Sequence, residues 1–135
     1  MHPKILTFLI DDDTDDQEVF SMAMEEAHSS VKCIFANDGV YALEKFSIDN
    51  SFVPDLIFID INMPRMNGVQ CLAEIKKIPS VKNVPAYMYS TSAEPEIVAE
   101  CMKLGAAGFI KKEISIDELQ KRFFQILSQV NKSTL

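Results

Sequence analysis

Acids and lysines stand where short apolar runs stop. Four consecutive apolar residues, Leu56-Ile57-Phe58-Ile59, end on the carboxylate of Asp60. Asp11 and Asp12 follow Phe8-Leu9-Ile10 directly, Ser90 and Thr91 follow Tyr89, and Lys111 and Lys112 follow Phe109-Ile110. Carboxylates crowded at one edge repel one another and are best tolerated around a divalent cation. A small set of hard oxygen ligands, completed by water and a substrate phosphate, suits Mg²⁺. A hydroxyl at Ser90 can donate to a phosphoryl oxygen, and a lysine can neutralise either the acids or a bound phosphate. Asp60 is the residue on which such chemistry would centre.

The neighbouring polar residues have simpler explanations. Thr14 begins a capping-box pattern with Gln17, and Asp15 and Asp16 fall in a first helical turn, where the helix dipole favours negative charge. Asp13, Asp15 and Asp16 therefore read as a solvated helix start. Met63, Met66, Met88 and Met102 read as packing, and His28 as a charge at a helix C-terminus. Of Lys111 and Lys112, one should point toward the acids and the other away, because side chains alternate along a strand.

The elements that must position these groups follow from the pattern. Residues 5–10, 31–36, 56–59, 84–89 and 108–111 are short β-rich runs, and the third, apolar on both faces, is a strand of a parallel sheet. Between them lie helices carrying Phe20, Ala23, Met24 and Ala27; then Val40, Leu43 and Phe46; then Val69, Leu72 and Ile75 behind Gly68. A fourth helix starts near Pro95 and stops at Leu104 with Gly105 in a left-handed conformation. A fifth, with Ser115 and Glu118 as a capping box, presents Leu119, Phe123, Ile126 and Val130. Strands alternating with helices predict a doubly wound α/β domain, a five-stranded parallel sheet flanked by five helices. Asp11 and Asp12 meet Asp60 only if their strands are neighbours, as in the flavodoxin-like order 2-1-3-4-5.

At 135 residues the chain fits one domain spanning residues 1–135. A net charge of −7 argues against nucleic acid as a partner. Cys33, Cys71 and Cys101 are odd in number and widely spaced, suggesting neither a disulfide framework nor a zinc site. With no apolar stretch near the roughly 18 residues of a membrane span, no membrane partner is expected and a cytoplasmic location is the default.

Nearly the whole chain resembles the receiver domain of two-component response regulators, and specifically a stand-alone receiver. The resemblance rests on Phe8-Leu9-Ile10-Asp11-Asp12-Asp13, on residues 55–68, on residues 85–92, and on Gly105-Ala106-Ala107-Gly108-Phe109-Ile110-Lys111-Lys112. It implies the 2-1-3-4-5 order and a phosphoacceptor aspartate, Asp60, that takes a phosphoryl group from a phosphohistidine of a histidine kinase or histidine phosphotransfer protein. It further implies Asp11, Asp12, Asp60 and the backbone carbonyl of Asn62 as the Mg²⁺ site, with Asp11 acting largely through water. Ser90 and Lys112 would contact the phosphoryl group, and Ser90 with Phe109 would form the switch that changes a surface read by a downstream protein target. Two positions depart from the usual family pattern. Glu113 follows Lys112 where proline is customary, and Thr91 stands where alanine is common.

Two other readings stay open. One is a receiver-like interaction module that works without phosphorylation. The other is a Mg²⁺-dependent phosphatase using Asp60 as nucleophile, which the haloacid dehalogenase pattern disfavours because Asn62 stands where a second acid is needed. The expectation is a signalling protein that is no enzyme beyond its own phosphorylation and dephosphorylation.

Overall fold

A computed structural model describes residues 4–91, 94–112 and 115–130. Its strands are β1 (Ile5–Ile10), β2 (Val31–Ala36), β3 (Leu56–Ile59), β4 (Ala86–Ser90) and β5 (Gly108–Lys111). They alternate with α1 (Thr14–Ala27), α2 (Gly39–Ile48), α3 (Gly68–Ile75), α4 (Pro95–Lys103) and α5 (Ile116–Leu127). All pairings are parallel, in the order β2-β1-β3-β4-β5, so the expected flavodoxin-like topology is the one observed. None of the described helices is long and apolar enough to cross a membrane.

The central strands have no solvated face. Along β3, Ile57 and Ile59 pack with Phe8, Ile10, Phe46, Leu72, Ile75 and Cys101 on the side covered by α2, α3 and α4. Leu56 and Phe58 alternate to the other side, meeting Ile5, Leu9, Phe20, Met24, Leu119 and Phe123 beneath α1 and α5. Phe20, Phe58 and Phe123 meet edge to face, with centroids 5.0–5.5 Å apart. Two buried faces with period 2 explain why the strand reads as an unbroken apolar run.

Several local expectations are corrected. Asp13, not Thr14, is the N-cap of α1: its carboxylate accepts from the amides of Asp15 and Asp16, and aspartate outranks threonine as a cap. Strand β4 runs from Ala86 rather than residue 84, because Pro85 has no N–H to give and contributes only its carbonyl, to the Ile57 amide. The strand also takes in Ser90, which pairs with Lys111. A reciprocal capping box of Asn67 and Gln70 starts α3. His28 is a C-cap whose Nδ1 accepts the Ser30 amide, so its side chain organises the turn after α1. Met102 is exposed and Val130 lies beyond the end of α5, although it still packs on the core. Gly105, at φ 102°, stops α4 as expected.

Candidate functional site

Sheet register brings the acids level with one another. Ile10 pairs with Ile59, and the ladder continues one step as the Asp60 amide donates to the Ile10 carbonyl at 2.9 Å, while the Asp11 amide donates to Ala36 at 3.0 Å. The alternation that sends Leu9, Phe58 and Ile110 to the α1/α5 face sends Asp11, Asp60 and Lys112 the same way. The site is thus the polar end of an apolar stripe. This parity also selects between the lysines: Lys112 turns inward and Lys111 lies exposed.

Asp11 is fully buried, Asp60 is 5% exposed, and Asp12 stands at the surface beside them. One carboxylate oxygen from each of Asp11, Asp12 and Asp60 lies within 4.8 Å of the others. Lys112 Nζ reaches into the group, 2.7 Å from Asp11 Oδ2, 2.8 Å from Asp16 Oδ2 and 3.6 Å from Asp60 Oδ2. It also lies 5.3 Å from the centre of the Tyr89 ring, a cation–π contact that roofs the ammonium on its apolar side. An open cleft of about 480 Å³ leads in, lined by Asp12, Asp13, Thr14, Asp16, Asp60, Asn62, Thr91 and Lys112.

Burial and like charge work together here. Desolvation lifts the Asp60 carboxyl from its ordinary 3.8 to about 6; Lys112 opposes the rise and Asp11 adds to it. Burial raises Asp11 too, against the hydrogen bond from Lys112. Burial alone would lower Lys112, but its bonds to Asp11 and Asp16 outweigh that and hold the ammonium above its usual range. Asp11 Oδ1 takes the Asp13 amide, whereas buried Asp11 Oδ2 has no hydrogen-bond partner among the described residues beyond its ion pair with Lys112. A buried carboxylate oxygen met by a single ammonium, three converging acids and an all-oxygen donor set fit a hard divalent cation.

The remaining expected residues are placed as follows. Asn62 is exposed at the cleft, and its amide donates to Asp60 Oδ1 at 3.3 Å. Ser90 is fully buried at the end of β4, its carbonyl accepting the Lys112 amide at 2.9 Å. Phe109, half-buried on β5 opposite Met88, packs on the α3/α4 side of the sheet, and Arg122 donates to its carbonyl. The Lys112–Glu113 linkage extends beyond the described residues, as do Ser92 and Ala93.

Asp16 is the residue that sequence reasoning misplaced. It does not face solvent with Asp15 but pairs with Lys112, its side chain only 31% exposed. The available signal was helical spacing, since Asp16 stands four residues before Phe20 and seven before Ala23, on the buried stripe of α1. Gly68 was legible only as a helix opener. In fact a Cβ there would come 2.3 Å from the Asp60 carbonyl oxygen and 2.7 Å from Ile61 Cα, so α3 can approach the end of β3 only through glycine. The loop between them carries Arg65 at φ 65°, paired with Asp38.

The chain is similar to known proteins over most of its length. The family model for the response regulator receiver domain matches residues 7–124. A protein-glutamate methylesterase/protein-glutamine glutaminase 3 of Leptospira interrogans is 36% identical over 110 residues, 80% of this chain but only 30% of that protein. Response regulator Rcp1 of Synechocystis is 27% identical across 88% of this chain and 83% of its own. Among solved structures, the Mn²⁺-bound form of Rcp1 superposes with a TM-score of 0.79 at 25% identity, covering 98% of this chain and 99% of that one. The phosphorylated cyanobacterial phytochrome response regulator RcpA shares the fold at a TM-score of 0.83 and 24% identity, covering 98% and 97%. With the family model spanning both acid-bearing strand ends and the inward lysine, the chain belongs to the response regulator receiver domain family.

Proposed function

We propose that this chain, as one receiver domain, is a phosphoacceptor: Asp60 takes a phosphoryl group from a phosphohistidine on a histidine kinase or histidine phosphotransfer protein, and the altered domain is read by a downstream protein. The observation that carries this reading is the convergence of Asp11, Asp12 and Asp60 with the inward-turned Lys112 at the end of the parallel sheet. Asp11, Asp12, Asp60 and the Asn62 backbone carbonyl would hold Mg²⁺, a role supported by the convergence of the three acids and by the Mn²⁺-bound form of the related Rcp1. When bound, the cation supplies positive charge between the acceptor and the phosphoryl oxygens.

The chain's own residues do the rest. An Asp60 oxygen forms the new bond to phosphorus as the N–P bond of the phosphohistidine breaks, the electron pair returning to the imidazole. In-line attack needs an ionised acceptor, which Asp60 provides above its value near 6. Lys112 and the Ser90 hydroxyl donate to the equatorial oxygens. Ser90 ends β4, and Phe109, early in the adjacent β5 and opposite Met88, lies on the same side of the sheet two residues short of it, so inward movement of the serine leaves space for the ring. That pair is the switch, biasing the surface formed by α4, β5 and α5 between two arrangements.

The test is intact-protein mass spectrometry after incubation with acetyl phosphate and Mg²⁺, with Asp60→Asn and metal-free controls. A single metal-dependent phosphoryl adduct on the wild type alone is expected. If neither that adduct nor binding of a beryllofluoride mimic is seen, the reading fails in favour of a phosphorylation-independent interaction module.

A further inference from the structure

Lys112 is shared unequally among its acids. Its ammonium has three donor directions. Asp11 and Asp16 lie at 2.7 and 2.8 Å, within hydrogen-bonding range, whereas Asp60 is left at 3.6 Å. These two close partners differ in origin and setting. Asp11 is fully buried at the end of β1. Asp16 comes from the first turn of α1, where Asp13 holds its amide, and its side chain keeps an exposed edge. None of the roles assigned to the acceptor, the cation ligands or the phosphoryl donors requires an acid at this place.

We propose that Asp16 is a positioning residue of the phosphoryl site, acting through Lys112: it holds the ammonium toward α1 and away from Asp60 until a phosphoryl oxygen competes for it. This rests on the assignment of Asp60 as acceptor and Lys112 as its phosphoryl contact. The distances supply the reason. A phosphoryl group on Asp60 places new negative charge on the side where Lys112 has no close partner, and because the ammonium stands 3.6 Å from Asp60 but 2.7 and 2.8 Å from Asp11 and Asp16, moving toward that charge lengthens an existing contact. Buried Asp11 cannot be rehydrated cheaply once abandoned, whereas the exposed edge of Asp16 can. Asp16 is therefore the contact that yields, and its charge weakens the hold of the site on phosphoryl oxygens.

The experiment uses the full chain at saturating Mg²⁺ and measures beryllofluoride affinity by titration calorimetry, with Mg²⁺ affinity measured separately. Wild-type binding comes first, since its absence would overturn the phosphoacceptor reading itself rather than the role of Asp16. Asp16→Asn is expected to bind the mimic about three- to fivefold more tightly, the upper part of the range for loss of one partly exposed ion-pair partner. Asp16→Glu should restore wild-type affinity, and Asp15→Asn, which removes the same charge from the same turn without touching Lys112, should stay within about twofold. In a Lys112→Ala background, or Lys112→Gln if the alanine variant does not fold, Asp16→Asn should have no further effect. The proposal is overturned if Asp16→Asn binds the mimic equally or less tightly, if Asp15→Asn matches it, if its effect survives without Lys112, or if Mg²⁺ affinity changes more than mimic affinity does.

Discussion

Replacing Asp60 with asparagine should make the metal-free protein more stable, and by an amount that depends on pH. The carboxyl titrates near 6 in the folded chain and near 3.8 when its burial is removed. Because the folded value is the higher one, the unfolded chain loses its proton first, and stability falls as pH rises from about 4 to 6, staying depressed above that window. At 1.36 kcal/mol per pH unit of separation, the ionised carboxylate costs about 3 kcal/mol at pH 7.5, about 1.5 at pH 5 and about 0.5 at pH 4. Asparagine keeps the shape and can still accept the Asn62 amide, but never carries the charge. Urea unfolding in the presence of a chelator should therefore find Asp60→Asn more stable than wild type by about 2–3 kcal/mol at pH 7.5, with the gap closing toward pH 4. Saturating Mg²⁺ should narrow the gap at pH 7.5 by stabilising the wild type selectively, since ligand binding to the folded form raises its stability. A gap of constant size, or a less stable variant at neutral pH, would show that Asp60 is not a strained buried charge.

Other perturbations test the same site from different sides. Lys112→Met leaves Asp11 with no counter-charge among the described residues and should lower stability in chelator by about 3 kcal/mol or more. Mg²⁺ should then stabilise this variant more than it stabilises the wild type, and an equal gain in thermal melts would contradict the view that lysine and cation share a task. Mg²⁺ affinity measured by calorimetry should fall by about a decade per pH unit below 6 and flatten above 7, since protons compete for Asp60; an affinity flat across that range would remove Asp60 from the ligand set. Gly68→Ala forces a methyl against the backbone at the end of β3 and should cost about 2–4 kcal/mol, with Mg²⁺ binding weakened as Asp60 is displaced. A near-neutral result in chemical denaturation would mean the loop can move aside.

The order of elements, the doubly wound class and the places of Asp11, Asp60 and the Lys111-Lys112 pair at strand ends were legible along the chain because strands of a parallel sheet announce themselves as apolar runs and end abruptly in polar residues. Period-2 alternation even required that only one of Lys111 and Lys112 face the acids. Which one it was depended on how β5 is registered beside β4, a fact of pairing and not of composition. Caps were less legible: Asp13, Thr14 and Asn67 all had the right chemistry, and the choice among candidate caps was made by backbone geometry at each turn. Asp16 marks the deeper limit. Its neighbours in sequence explain it fully as a helix-start acid, whereas Lys112, 96 residues away, gives it a second partner. Gly68 is similar, since its need for a bare Cα arises from the Asp60 carbonyl brought against it. Local chemistry therefore declared the groups and the elements carrying them. Packing of α1 and α3 onto the strand ends decided which charges touch, because distances between residues far apart in sequence exist only once the sheet has closed around them.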